Sequence, residues 1–170
     1  MLSEKMIDAL NEQINKEMYS AYLYLAISSY AEFKGLRGFS NWYRVQYQEE
    51  MEHAMRIYDY VQEQGAQVKL KAIEQPSSDF GTPLQILEKT LEHEQYVTQL
   101  INNLVDLAIQ EKDHASQIFL QWFVTEQIEE ESNVNEILDK LKLAGEEGRG
   151  LFMIDKDLAA RVYTPPPASE

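Results

Sequence analysis

Four glutamates and one histidine, Glu17, Glu50, His53, Glu94 and Glu130, interrupt the apolar pattern of their segments at the places where charge is least expected. Each segment repeats apolar residues at alternating steps of three and four, the spacing of a helix face that packs into a core. The first stripe reads Leu10, Ile14, Glu17, Ala21, Tyr24, Ser28, and the second Phe39, Tyr43, Gln46, Glu50, His53, Ile57, Val61. The third reads Leu84, Leu87, Leu91, Glu94, Thr98, Ile101, Val105, Ala108, and the fourth Phe119, Phe123, Gln127, Glu130, Val134, Ile137, Leu141. Every stripe has an acid near its middle. An unpaired buried carboxylate is costly, so such acids must be protonated, paired with cations or bound to metal. No Lys or Arg stands on the stripes at those levels.

The spacing repeats. Glu17 precedes Glu50 by 33 residues, and Glu94 precedes Gln127 by the same 33, so the two helical hairpins read as copies of one unit. In each copy a potential ligand follows three residues later, His53 in one and Glu130 in the other, on the same helix face. Oxygen-rich donors with a single imidazole suit iron or manganese better than a structural zinc site. Taken alone, Glu17 or Glu94 reads as a rim acid, and Glu-x-x-His arises by chance on many helices. The coincidence of four stripes, the repeated interval and the missing counter-cations together point to a metal centre.

Four long helices must carry these residues. The first runs from about Glu4, after a Ser3 cap, to Phe33, with Gly35 at the left-handed stop. The second runs from Leu36 or Phe39 to Gln64, ending at Gly65. Thr82-Pro83-Leu84-Gln85 opens the third with a capping box and a proline at the first helical position, and that helix continues to about Glu111. Asp113 caps the fourth, which reaches Ala144 and stops at Gly145. Leu151 to Arg161 is read as a short fifth helix. Short corners join the first helix to the second and the third to the fourth, so each pair is antiparallel. The 17 residues from Ala66 to Thr82 can span up to about 56 Å, and a helix of about 30 residues is about 45 Å long. That connection can run the length of the bundle and start the third helix parallel to the second. The result is an all-α fold: a four-helix bundle with one long crossover between helices 2 and 3, the arrangement of ferritin-like bundles.

Composition sets the outer limits. At 170 residues the chain is expected to be one domain, residues 1–163, followed by a Pro-rich C-terminal tail, residues 164–170. A net charge of −14 repels a phosphate backbone and attracts cations, so no nucleic acid partner is expected. With no Cys, disulfides, thiolate zinc sites, iron–sulfur clusters and cysteine nucleophiles are excluded. The N-terminus carries no signal or transit pattern, which leads to a cytoplasmic expectation. The longest nearly apolar run, Ala21 to Ile27, is far short of the ~20 residues that cross a bilayer, so no membrane association is expected.

The motifs Leu10-Asn11-Glu12-Gln13, Gln48-Glu49-Glu50-Met51-Glu52-His53, Glu92-His93-Glu94-Gln95, Phe119-Leu120-Gln121-Trp122 and Glu126-Gln127-Ile128-Glu129-Glu130-Glu131 resemble, in that order and over nearly the whole chain, the non-haem ferritins of bacteria and archaea. The resemblance implies a ferroxidase. In that family Fe(II) is oxidised by dioxygen or peroxide at an intrasubunit di-iron centre and stored as a ferric mineral in a hollow homo-oligomeric shell, usually of 24 subunits. It further implies that Glu17, Glu50 and His53 hold the first iron, and that Glu50 bridges to a second held also by Glu94 and Glu130. Gln127 matches a nearby amide that either touches metal or oxygen ligand or hydrogen-bonds a ligand carboxylate. Tyr24, two turns beyond Glu17, resembles a tyrosine beside the centre and is either a core aromatic or an electron donor. Trp122 resembles a tryptophan near the site and reads first as packing. Glu49, Glu126 and Glu129 resemble a third iron site; a solvated acidic face would look the same in sequence.

Relatives separate on single features. Rubrerythrins need cysteines, and bacterioferritins carry a second Glu-x-x-His where this chain has Gln127-x-x-Glu130. Met51 stands where bacterioferritins place a haem ligand, but non-haem ferritins carry Met there too, so haem is not expected. His93 and His114 fall off the stripes and read as surface or subunit-contact residues. Leu151, Phe152, Met153, Ile154 and Leu158 have no obvious place in a four-helix core, so a packing partner in a closed shell is expected. Two other readings remain: a non-enzymatic scaffold whose core acids are simply paired, and a di-iron oxygenase, which would need a substrate pocket, a reductase partner and no shell.

Overall fold

A computed structural model describes residues 2–165 of the chain. Among these residues there are five helices and no strand: α1 (Glu4–Phe33), α2 (Arg37–Glu63), α3 (Pro83–Gln110), α4 (His114–Ala144) and α5 (Gly148–Leu158). The caps act as their chemistry requires. Ser3 Oγ accepts from the Met6 amide, Thr82 and Gln85 close a reciprocal capping box, and Asp113 accepts from the Ser116 amide. Gly35 and Gly65 stand at positive φ (81° and 76°) just past α1 and α2, the left-handed turn that ends each helix.

The crossover runs as its length allows. Lys69 N–H donates to Asn11 Oδ1 at 2.8 Å, Asn15 Nδ2 donates to the Ala72 carbonyl at 3.1 Å, and Tyr30 Oη donates to Asp79 Oδ1 at 2.9 Å. The segment after α2 therefore climbs alongside α1 from its start to its end before Phe80 enters the core. Since α2 is antiparallel to α1, this climb returns the chain to the end where α2 began, and α3 starts parallel to α2. The fold is the ferritin-like bundle, with α1–α2 and α3–α4 as antiparallel hairpins joined by one crossover.

Two apolar clusters fill the bundle. One holds Tyr24, Ile27, Phe39, Tyr43, Leu87, Val134 and Leu141; the other holds Leu10, Ile14, Ile57, Val97, Ile101, Leu120 and Phe123. On every long helix the stripe acid lies between the residues of these clusters, so the carboxylates form a polar layer sealed by packed hydrocarbon above and below.

The fifth helix departs from its sequence reading. It starts at Gly148, not Leu151, and ends at Leu158, not Arg161. Gly150 serves close approach: a Cβ there would meet the Ala144 carbonyl oxygen at 2.1 Å. Part of the apolar segment also finds its partner within the chain. Ile154 and Leu158 are buried in the first cluster, and Asp155 Oδ1 accepts from the Gly38 and Phe39 amides at 2.8 and 3.0 Å, capping α2. Phe152 and Met153 remain exposed, at 66% and 46%, and keep the case for an external contact. Thr164 and Pro165 carry no helix, and the rest of the expected tail, residues 166–170, lies outside the described residues.

Candidate metal centre

Glu17 from α1, Glu50 and His53 from α2, Glu94 from α3, and Gln127 and Glu130 from α4 are all buried, at 0 to 3% exposure. Helix geometry explains the convergence. Each sits on the inward stripe of its own helix, and the residues three apart on α2 and α4 share a face. Donor atoms of Glu17, Glu50 and His53 lie within 4.8 Å of one another, and so do those of His53, Glu126 and Glu130. The imidazole thus stands between two groups of carboxylates. Its Nδ1 lies 3.4 Å from Glu50 Oε2, and its Nε2 lies 3.9 Å from Glu126 Oε1.

The hydrogen bonds divide the acids. Glu17 Oε1 accepts from Gln13 Nε2 at 2.7 Å, whereas Glu17 Oε2 and Glu50 Oε2 are buried without a hydrogen-bond partner among the described residues. A buried orphan oxygen of this kind is rare and asks for a ligand. Glu94 is engaged instead: it accepts from the Tyr24 hydroxyl and from Gln127 Nε2, the latter at 3.2 Å. Glu130 Oε2 accepts from Gln46 Nε2 at 2.9 Å. Glu94 belongs to neither converging group among the described residues, because its oxygens turn toward these two donors.

Burial dominates the electrostatics. It pushes Glu130 up to about 8, with the Glu94 charge adding to the shift and His53 opposing it. Burial likewise lifts Glu94 to about 7 against the lowering from the Tyr24 and Gln127 hydrogen bonds. Glu50 is raised well above the ordinary carboxylate range by burial and by the charges of Glu94, Glu17 and Glu130. Burial, then Glu94 and Glu50, also raises the Tyr24 phenol, so it stays a protonated donor. A buried cluster of acids whose protonation is shifted in this way marks a candidate functional site.

Around this layer the other singled-out residues take distinct positions. Trp122 is half-buried with its ring edge-on to His53, centroids 5.4 Å apart, and Arg56 lies over its face at 4.1 Å. Glu49, Glu126 and Glu129 line a cavity of about 530 Å³ together with Glu52 and His53. The three do not form one cluster: Glu126 faces His53, while Glu49 is paired with Arg161 at 2.7 Å. Burial raises both Glu49 and Glu126. His114 is exposed, as its position suggests, and His93 is half-buried. Its Nε2 hydrogen-bonds Ser20 Oγ at 2.7 Å, its ring packs on Tyr19, Tyr24 and Tyr96, and burial lowers it to about 4. Ala72 and Glu74 of the crossover line the same small cavity as His93, a proximity that no helical period reveals.

Sequence reasoning missed three side chains. Gln13 and Gln46 hold ligand-candidate carboxylates; Gln46 was on the stripe, and Gln13, four residues before Glu17, had the i,i+4 spacing as its only signal. Arg161 is a basic partner at the rim of the polar layer, supplied by the segment after α5.

The bundle and its carboxylate-rich, single-imidazole layer define a class of four-helix proteins built to hold metal cations through oxygen donors. Comparison makes the class specific. The family profile described as Ferritin-like domain matches residues 7–144. The chain is 46% identical to a bacterial non-heme ferritin of Bacteroides fragilis over 95% of its length and 100% of the relative's. It is 44% identical to one of Campylobacter jejuni over 92% and 93% of the two chains. Its fold is similar to an open-pore ferritin from the hyperthermophilic archaeon Archaeoglobus fulgidus, with a TM-score of 0.94 and 53% identity over 95% of this chain and 100% of that one. The chain belongs to the ferritin family. No helix among the described residues is long and apolar enough to cross a membrane.

Proposed function

We propose that the chain is an iron-storing ferroxidase. Fe(II) is its substrate, bound in pairs within each subunit, oxidised by dioxygen or peroxide, and stored as a ferric mineral inside a closed cytoplasmic shell of identical subunits, 24 as in the family the sequence resembles. The observation that carries this reading is the pair of buried, unpartnered oxygens, Glu17 Oε2 and Glu50 Oε2, that converge with His53. Four ionised carboxylates, Glu17, Glu50, Glu94 and Glu130, balance the charge of two ferrous ions, so the filled layer is neutral, whereas the empty one approaches neutrality only by holding protons.

The residues divide the work. Glu17, Glu50 and His53 take the first ion, and Glu50, Glu94 and Glu130 take the second. Glu50, Glu94 and Glu130 hold protons more tightly than ordinary carboxylates, so metal uptake releases protons from them. Dioxygen accepts one electron from each of the two ferrous ions, together with two protons, and leaves as hydrogen peroxide. Tyr24, hydrogen-bonded to Glu94, holds that ligand in place. Gln127 hydrogen-bonds the Glu94 carboxylate, which favours its positioning role over direct contact with metal. Glu49, Glu126 and Glu129 supply a third, wetter cation position on the cavity side. The domain spans residues 1–163, with residues 164–170 as a tail.

Glu50→Ala tests the reading, since it removes a ligand from both ions. Fast oxygen consumption on aerobic addition of ferrous salt should be lost while the shell still assembles. Oxidation at the parental rate would sink the assignment and favour a scaffold of paired acids.

A further inference from the structure

The segment that leaves α5 is fastened in place. Asn41 Nδ2 donates to the carbonyls of Leu158, Ala159 and Arg161 at 3.2, 3.4 and 2.9 Å. This directs Arg161 back across α2, where its guanidinium lies over Trp42, 4.7 Å from the ring centroid. The two ends of the fork then take different partners. Nη1 donates to Gln46 Oε1 at 2.5 Å and Nη2 to Glu49 Oε2 at 2.7 Å, one turn apart on the same helix face. Because the Gln46 oxygen is occupied by Arg161, its Nε2 must point the other way, and it donates to Glu130 Oε2 at 2.9 Å. Arg161 also lines the 530 Å³ cavity, where Glu49, Glu52, Glu126 and Glu129 face a single guanidinium.

We propose that Arg161 is an internal counter-ion: it competes with a metal cation for Glu49 and sets the orientation of Gln46 against Glu130, coupling occupation of the acidic cavity to the posture of a di-iron ligand. This rests on the ferroxidase reading above. A guanidinium bonded to Glu49 and a divalent ion on the same carboxylate repel each other, so one leaves when the other binds. When Arg161 leaves, Gln46 loses the contact that fixes its amide. Charge and shape are separable here, since Lys keeps the charge but cannot fork to Gln46 and Glu49 together.

The test uses Zn²⁺, which has no redox chemistry, titrated calorimetrically into the intact metal-free shell. The parent should show two tight steps and a weaker third. Arg161→Gln should tighten the third step at least about tenfold, and Glu129→Ala in that background should remove the gain, which assigns it to the cavity. Both Arg161→Gln and Arg161→Lys should tighten the second step, as Glu130 is released from a Gln46 no longer fixed, while Arg161→Lys leaves the third step near the parental value. A second step unchanged in both would overturn the coupling. An unchanged third step in Arg161→Gln, an equal gain at that step in Arg161→Lys, or a uniform weakening of all steps would each overturn the proposal. Absence of the two tight steps in the parent would instead contradict the di-iron reading.

Discussion

The two helical hairpins carry the same design and finish it differently. In α1–α2, Glu17 and Glu50 each keep one buried oxygen free, and His53 stands beside them. In α3–α4, Glu94 is held by Tyr24 and Gln127, and Glu130 is held by Gln46 from across the bundle. The first half is therefore poised for a cation, while the second is partly satisfied by the protein itself. A donor that must give up hydrogen bonds gains less from metal than one with nothing to lose, and an imidazole binds ferrous iron more firmly than a neutral amide. The expected consequence is unequal affinity for the two ions.

The largest break in this comparison should come from His53→Ala, which removes the only nitrogen donor. Loss of a ligand exceeds the effect of losing its support, so Zn²⁺ affinity at the first step should fall by more than about 100-fold, read by calorimetry. Survival of that step at parental affinity would remove the basis for the asymmetry.

A smaller effect concerns pH. Glu94 and Glu130 stand at about 7 and 8 in the folded, metal-free protein, above the ordinary value of about 4.3 in an unfolded chain. Between those values the folded state keeps protons that the unfolded state has lost, so stability falls as pH rises, beginning near pH 4.3 and ending above pH 8. The melting temperature of the metal-free protein should decline across that window, and Zn²⁺ should abolish the decline. A melting temperature that climbs steadily from pH 5 to 8 would contradict the buried-acid account. Gln13→Ala should have the smallest effect. It removes the hydrogen bond on Oε1 that aims the Glu17 carboxylate, and should weaken the first Zn²⁺ step by about tenfold without changing the second.

Much of this difference was legible in the stripes. Glu17, Glu50, His53, Glu94, Gln127 and Glu130 announce themselves as polar residues at core register, and a three-four period places them on one level with no knowledge of loops. The crossover was readable from its length alone. What the pattern could not carry were contacts between segments far apart in sequence. His93 is bonded to Ser20, 73 residues away in the chain, and Arg161 reaches Glu49 from 112 residues away. The start of α5 was hidden because Gly148 and Gly150 signal a break, while Gly150 is there to let α5 approach Ala144. Deletion from Gly150 onwards would strip Asp155 from the start of α2 and Ile154 and Leu158 from the core.

The asymmetry between the two hairpins is tested most directly by anaerobic titration of the metal-free protein with Fe(II), in the parent and in Glu130→Ala. The parent should fill the site of Glu17, Glu50 and His53 first and that of Glu94 and Glu130 second, and Glu130→Ala should lose the second ion while keeping the first. Two equally tight ions in the parent, or loss of both in Glu130→Ala, would contradict it.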